Sequence, residues 1–360
     1  MSAAEMRAVV IHAAGDVRQE SLPRPEPGPG EVLLQVTIAG ICGTDAAFFR
    51  HGEGLVPRSV EPRWPIALGH EFAGRVAALG EGVAGLALGD LVASGAGASC
   101  GRCARCREGR TNLCTSYWTA GVHRDGGLAE YCVVPAATCE PTRAHGVEGD
   151  AAGLAQPMAI AVHAVSRGQL AAGQRALIIG AGGIGAFATW EASQLGAEVT
   201  VCDRDPARLQ IAAALGAAAT VPATEQPLDE QLEAERGRFD VVYEMTGAAG
   251  PLAAAIALVR PGGRVVAAGV QAKPPALDVG LLTAKEIELV GTMAHVRAAD
   301  LPRALDLIAA RAEGWADVAP RVLSLGDVVE HGLPELVAGS SARIKTLADP
   351  QAAASRPFQP

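Results

Sequence analysis

Residues 175–185 read RALIIGAGGIG, and this stretch decides the fold. A short apolar run ends in Gly180, Gly182 and Gly185, spaced G-x-G-x-x-G, and a helix-compatible segment follows. Gly180 permits a tight turn, Gly182 admits close backbone approach to a pyrophosphate, and Gly185 lets the helix sit against the strand. The helix N-terminus then offers N–H donors to the anion. Gly183 and Ile184 lie inside the same turn and join the candidate cofactor contacts. The pattern alone is weak; a strand before it and a helix after it make it a dinucleotide fingerprint.

Downstream the texture stays regular. AEVTVCD (197–203), FDVVYEMTG (239–247), GRVVAAGV (263–270) and EIELVGTMA (286–294) read as strands, and the segments between the first three read as helices. Largely apolar strands alternating with helices predict a parallel sheet covered on both faces. Asp203 stands eighteen residues after Gly185, at a strand end. A carboxylate there accepts both ribose hydroxyls of NAD and repels the 2′-phosphate of NADP. Arg204 beside it pulls toward the phosphate, and Arg208 one helical turn on can pack against ribose or adenine. Thr246, Gly247, Gly269 and Val270 stand at strand ends that face the cofactor by topology. Plain turn chemistry competes with that role for Gly247 and Gly269. AADLPRALDLIAARAE (298–313) is an amphipathic helix, and the tail DPQAAASRPFQP (349–360) is expected to be loose.

Upstream, MRAVVIH (6–12) and EVLLQVTIAGI (31–41) read as β, separated by the Pro/Gly turn LPRPEPGPG (22–30). Residues 66–93 are short apolar runs cut by glycine, which suits a small irregular barrel. The 360 residues suggest two domains. A net charge of −9 argues against nucleic acid or an anionic membrane as partner. No apolar run reaches the ~18 residues a membrane span needs. The N-terminus lacks a signal-peptide pattern, so a cytoplasmic setting is expected. Clustered cysteines there point to metal rather than disulfides.

Four of the eight cysteines fall in SCGRCARCREGRTNLC (99–114). Cys100, Cys103, Cys106 and Cys114 are spaced C-x2-C-x2-C-x7-C, which suits a closed tetrahedral Zn2+ site with no open position for chemistry. An iron–sulfur cluster would need a redox role that nothing else supports. A nucleic-acid-binding zinc ribbon conflicts with the acidic chain. Arg102, Arg105, Arg107 and Arg110 would offset the thiolate charge. Elsewhere stand Cys42, Thr44, Asp45, His70, Glu71 and Gln156. Each alone has a bland account, since a lone cysteine is usually a small core residue. Cys132, Cys139 and Cys202 are read as core.

In order, CGTD (42–45), GHEFAGRV (69–76), the four-cysteine loop, GGLAEY (126–131), QPMAIAVHA (156–164), GAGGIG (180–185) and PGGRVV (261–266) resemble the zinc-dependent medium-chain alcohol and polyol dehydrogenases over nearly the whole chain. The sorbitol, threonine and butanediol dehydrogenase branches look most similar. The resemblance implies a two-domain α/β fold. A GroES-like β-barrel catalytic domain would take residues 1–155 and 296–360 and carry two zinc sites. A Rossmann domain, a doubly wound parallel sheet, would bind NAD over 156–295.

It further implies a catalytic zinc held by Cys42 and His70, with Glu71 at or beside the metal. Gln156 stands where this branch usually has Glu or Asp, and a neutral amide is a weaker ligand. Thr44 resembles the family's proton-relay hydroxyl. Ala47 replaces a relay histidine of the liver-type enzymes, leaving His51 or water near Glu71 to continue the path. Asp45 would orient a metal ligand. Met293 joins the cofactor contacts, and Phe48, Phe49, Trp64, Tyr117, Trp118 and Met293 would surround the substrate. The implied activity is hydride transfer between NAD and a secondary alcohol, vicinal diol or polyol whose hydroxyl the zinc acidifies. Gln156 suggests an aldose or cyclitol dehydrogenase as the alternative. A non-catalytic nucleotide-binding relative would have lost Cys42 or His70. The partners implied are a small alcohol or carbonyl substrate and copies of the chain in a homo-oligomer, dimer or tetramer.

Overall fold

The computed structural model describes residues 4–52, 64–248, 250–271, 273–339 and 344–360. In chain order the strands are β1 (Glu5–Ala13), β2 (Asp16–Pro23), β3 (Glu31–Ile41), β4 (Ile66–Ala67), β5 (Glu71–Leu79), β6 (Leu91–Ser94), β7 (Gly97–Ala98), β8 (Trp118–Thr119), β9 (Tyr131–Pro135) and β10 (Cys139–Pro141). There follow β11 (Arg175–Ile179), β12 (Glu198–Asp203), β13 (Ala219–Pro222), β14 (Phe239–Glu244), β15 (Val259–Ala267) and β16 (Glu288–Gly291). The chain ends with β17 (Arg321–Leu323), β18 (Thr346–Ala348) and β19 (Arg356–Pro357). Two compact units result: one from residues up to Ala159 together with His295–Pro360, the other Ile160–Ala294.

The first unit is built around β3. Its β-branched run follows a Pro/Gly turn that no helix tolerates, and it is buried along most of its length. β3 pairs antiparallel with β5, β9 and β18, within a sheet ordered β10-β6-β5-β3-β18-β17-β19. A second sheet, β2-β1-β4, packs its Val9 and Ile11 into the same core as Leu34, Val36, Leu68 and Phe72. Removing such side chains from water, at about 25 cal/mol per Å2, is the main force holding the barrel closed.

The second unit is a six-stranded sheet ordered β13-β12-β11-β14-β15-β16, with every pair parallel. The order runs outward from β11 in both directions, which is the doubly wound arrangement the strand–helix alternation predicts. The helix Gly183–Gln194 links β11 to β12. The helix Pro206–Ala214 starts on Asp205, whose side chain accepts from Ala207 N at 2.8 Å, with proline at the first helical position. β13 was not foreseen: its four residues, Ala219–Pro222, are short, mostly exposed at a sheet edge and closed by a proline, so they do not stand out as a strand.

The C-terminal tail overturns its expectation of being loose. Arg356 is bidentate to Asp150 at 2.6 and 2.8 Å and reaches Asp349 at 2.9 Å. Gln359 N donates to the same Asp150 at 2.7 Å, β19 pairs with β17, and Phe358 is buried. The tail's small and polar residues and its prolines hid one cation and one apolar anchor. Replacing Arg356→Ala removes the bidentate partner of a buried carboxylate. We expect a loss of about 2 kcal/mol in urea unfolding, whereas an unchanged midpoint would mean the tail is not held this way.

Candidate active site

Strand register assembles the first site. Gly40 of β3 faces Glu71 of β5, and Ile41 of β3 faces Thr346 of β18. The next residue out on each strand is therefore Cys42, His70 and Lys345. Cys42 caps the helix Gly43–His51 in extended conformation, and its N–H donates to Asp45 Oδ2 at 2.8 Å. Cys42 Sγ, a His70 ring nitrogen and a Glu71 oxygen lie within 4.8 Å of one another. His70 and Glu71 are buried, and Asp45 is wholly so. Asp45 Oδ1 stands 3.6 Å from His70 Nδ1. Thr44 Oγ1 is 3.9 Å from Cys42 Sγ.

The cluster attracts cations. Burial opposes an imidazolium at His70, but Cys42, Asp45 and Glu71 outweigh it and push its pKa up to about 10. Burial raises the Asp45 carboxyl, with His70 pulling the other way. A sulfur, a nitrogen and a carboxylate converging in a negative, dry place are a fitting donor set for zinc. Gln156 is buried in the first turn of the helix Ala155–Gly168.

Lys345 was missed in the sequence. Its Nζ is ion-paired to Glu71 Oε2 and donates to Ile41 O at 3.2 Å, with both side chains buried. Burial disfavours the ammonium, yet Glu71 and then Cys42 raise its pKa. Gly40 leaves the space: a Cβ there would collide with Glu71 Oε2. A lone lysine in RIKTLA (343–348) gave no sign of its partner, which lies 274 residues away.

Cys100, Cys103, Cys106 and Cys114 bring their four sulfurs within 4.8 Å of one another, and none is in a disulfide. Cys100 N donates to Cys114 Sγ at 3.2 Å, Cys103 N to Cys100 Sγ at 3.4 Å and Ser116 N to Cys114 Sγ at 3.3 Å. Backbone N–H groups of Cys106 and Thr115 bring the Cys103 thiol down to about 6. Sulfurs cradled this way fit a tetrathiolate metal site. The interleaved arginines are exposed. Cys132, Cys139 and Cys202 are buried, and burial lifts Cys139 to about 12 and Cys202 to about 11, which marks inert thiols.

In the second unit, Gly180 takes φ +101°, and a Cβ on Gly185 would collide with Gly180 O, so helix and strand meet as the fingerprint requires. Asp203 Oδ2 accepts from Ala181 N at 2.7 Å and Oδ1 from Asp205 N at 2.9 Å. The acidic residue is thus latched to the glycine turn that includes Gly182, Gly183 and Ile184. Arg204 is exposed, and Arg208 lies 3.7 Å from Asp205. Thr246, Gly269 and Val270 sit at the carboxyl ends of β14 and β15, and Val270 is exposed. Met293 follows β16 and is half-buried.

His51 ends its helix exposed. Phe48 is a core residue, edge-on to Trp64 at 5.6 Å, and Trp118 stacks under Arg124 at 4.2 Å. Tyr117 is buried. These aromatics are engaged in packing. Among the described residues no helix is long and apolar enough to cross a membrane.

A barrel with a cysteine–histidine–glutamate cluster and a sheet with a dinucleotide turn define an oxidoreductase of the zinc type. The family models "Alcohol dehydrogenase GroES-like domain" and "Zinc-binding dehydrogenase" match residues 28–144 and 183–310. L-galactonate-5-dehydrogenase of Escherichia coli K12 is 36% identical over 247 residues, 68% of this chain and 70% of its own. Sorbitol dehydrogenase of Bacillus subtilis is 31% identical over 318 residues, 84% and 86% of the two chains. A solved alcohol dehydrogenase of E. coli CFT073, complexed with cofactor NADH, superposes with TM-score 0.85 at 27% identity, covering 96% of this chain and 99% of that one. The chain belongs to the zinc-binding alcohol dehydrogenase family, whose members are oxidoreductases acting on CH–OH groups.

Lys345→Met would leave the buried Glu71 without its counter-charge. We expect a loss of about 3–5 kcal/mol in chemical denaturation. Wild-type stability in that variant would mean the pair is not what keeps Glu71 inside.

Proposed function

We propose that the chain is an NAD-dependent zinc dehydrogenase that oxidises a secondary alcohol in a vicinal diol or polyol. The convergence of Cys42, His70 and Glu71 beside the Thr44 hydroxyl carries this proposal. Residues 1–155 with 296–360 are assigned as the catalytic domain and 156–295 as the NAD-binding domain. One zinc belongs with Cys42, His70, Glu71 and Gln156, and a second with the four-cysteine loop. The sugar-acid and polyol names of the two curated relatives support a polyhydroxylated substrate. A homo-oligomer, dimer or tetramer, in a reducing compartment is part of the same proposal.

When bound, zinc supplies a Lewis acid that acidifies an alcohol hydroxyl, and NAD supplies the hydride acceptor. The chain's own residues do the rest. Cys42 and His70 offer soft sulfur and nitrogen donors, and Asp45 holds Cys42 through its N–H and stands beside His70 Nδ1. Lys345 holds Glu71, keeping its carboxylate from becoming an unpaired buried charge. Thr44 Oγ1 accepts the substrate proton and passes one on toward solvent. His51, at the exposed helix end, is a candidate for that outlet. Asp203, anchored by Ala181 N, selects NAD through the ribose hydroxyls.

A panel of secondary alcohols, diols, polyols, aldoses and cyclitols, read by NADH absorbance, tests the function. We expect turnover with polyols or sugar acids and about two zinc per chain. Cys42→Ser should cost at least about a hundredfold in kcat/KM and one zinc. One zinc per chain with no turnover on any substrate would reduce the protein to a nucleotide-binding fold.

Cofactor choice has its own test. Asp203→Asn keeps one acceptor for the glycine turn but removes the charge. The ratio of kcat/KM with NAD to that with NADP should fall by about tenfold. A ratio that does not move would transfer selectivity to another residue.

A further inference from the structure

Glu244 ends β14, and nothing above gives it a role. It is completely buried, yet its carboxylate is filled with donors from two loops. Oε1 accepts from Thr246 N at 2.7 Å, from Thr246 Oγ1 and from Gly247 N at 3.1 Å. Oε2 accepts from Gln271 Nε2 at 3.0 Å. Its backbone carbonyl takes Ala268 N and Gly269 N, each at 2.9 Å. Thr246 Oγ1 in turn accepts from Ala248 N at 3.0 Å. One residue therefore ties the loop after β14 to the loop after β15.

The two loops meet without room to spare. A Cβ on Gly269 would collide with Gly247 N and stand 2.8 Å from Glu244 Oε2, and one on Gly247 would collide with Val270 O. The amide of Gln271 has its orientation set by the carboxylate, because Nε2 must face it. Oε1 is thereby turned away, buried and without a partner among the described residues. An acceptor left so is costly unless a ligand or water supplies a donor.

Simple strand-capping does not call for this arrangement. Val242 and Tyr243 bury apolar or largely apolar side chains on the same strand, while a buried carboxylate must be fully hydrogen-bonded to be tolerated. What the carboxylate achieves is a fixed shape for residues 245–248 and 268–271, at the carboxyl ends of the strands. In a doubly wound sheet each half holds one nucleotide of a dinucleotide. Asp203 ends β12 and assigns the adenosine to the β11–β13 half. The β14–β16 half is left for the nicotinamide nucleotide.

We infer that Glu244 is the positioning residue for the nicotinamide half of the cofactor, holding Thr246, Gly269, Val270 and Gln271 in one preset geometry. This rests on the dinucleotide assignment proposed above. The test compares two ligands on the full chain, NADH and ADP, which lacks both the nicotinamide ring and its ribose. Glu244→Gln keeps the side chain's shape but replaces one acceptor oxygen with an NH2 group facing donors. Titration calorimetry should find ADP within about twofold of wild type and NADH weakened about tenfold or more.

A preference for NADH over ADP that stays as in wild type overturns the inference, whether both ligands weaken together or neither does. Should Glu244→Gln fail to fold, Gln271→Leu removes one donor at a half-buried position. It should lower the same ratio about threefold, and an unmoved ratio overturns the inference equally. A wild-type chain that binds neither ligand overturns the dinucleotide assignment itself, and the clamp with it.

Discussion

The pairing of β3 with β5 on one side and β18 on the other is the constraint on which the barrel unit depends. Facing Gly40 with Glu71 and Ile41 with Thr346 leaves no freedom about what meets beyond the strand ends. A slip of one residue would turn every side chain to the opposite face. It would separate Glu71 from Lys345 and leave two charges buried alone. The ion pair and the register therefore enforce each other. The hydrophobic core sets how tightly the strands close, and the buried charges set which residues face one another.

A similar logic recurs in the parallel sheet. Both units gather their candidate site residues where strands end, and both hold the irregular backbone there with a carboxylate accepting backbone N–H groups. Asp45 does this for Cys42, Asp203 for Ala181, and Glu244 for Thr246 and Gly247. Loops of this kind have no ladder partners of their own, and buried N–H groups must be satisfied somewhere. A carboxylate oxygen accepts more than one of them, so one side chain can fix a whole turn. Rigid turns suit a site whose task is alignment of reacting groups rather than adaptation to many ligands.

How much was legible in the sequence follows from how local each feature is. The glycine turn and the cysteine loop are written in consecutive residues, and the spacing of each is its geometry. Asp203 could be placed because a strand and a helix set its distance from Gly185. Lys345 could not, since only the register of β18 on β3 brings it to Glu71. The edge strand β13 escaped notice because it is only four residues long, mostly exposed, and ends in a proline that punctuates rather than marks a strand. The tail misled by composition: its hold comes from Arg356 and Phe358, and isolated anchors leave no periodic trace. Glu244 did leave one. A charged residue closing the apolar strand FDVVYE is a buried charge in waiting, and buried charges need partners.

Charge balance gives the proposed zinc assignment a further physical footing. With Cys42 and Glu71 ionised, as ligation requires, and Asp45 a carboxylate accepting the Cys42 N–H, the three contribute three negative charges and Lys345 one positive. The remainder is two negative charges in a buried place, which a divalent cation would neutralise. An amide at Gln156 adds nothing to that sum, whereas a carboxylate in its place would leave the loaded site one charge negative. A neutral loaded site disfavours loss of a substrate proton less than a negative one does, because the charge left behind meets no surplus of like sign. With Gln156 at the proposed zinc, it and Lys345 would act in the same direction, and replacing either with a carboxylate or a neutral side chain would shift the balance that the other maintains.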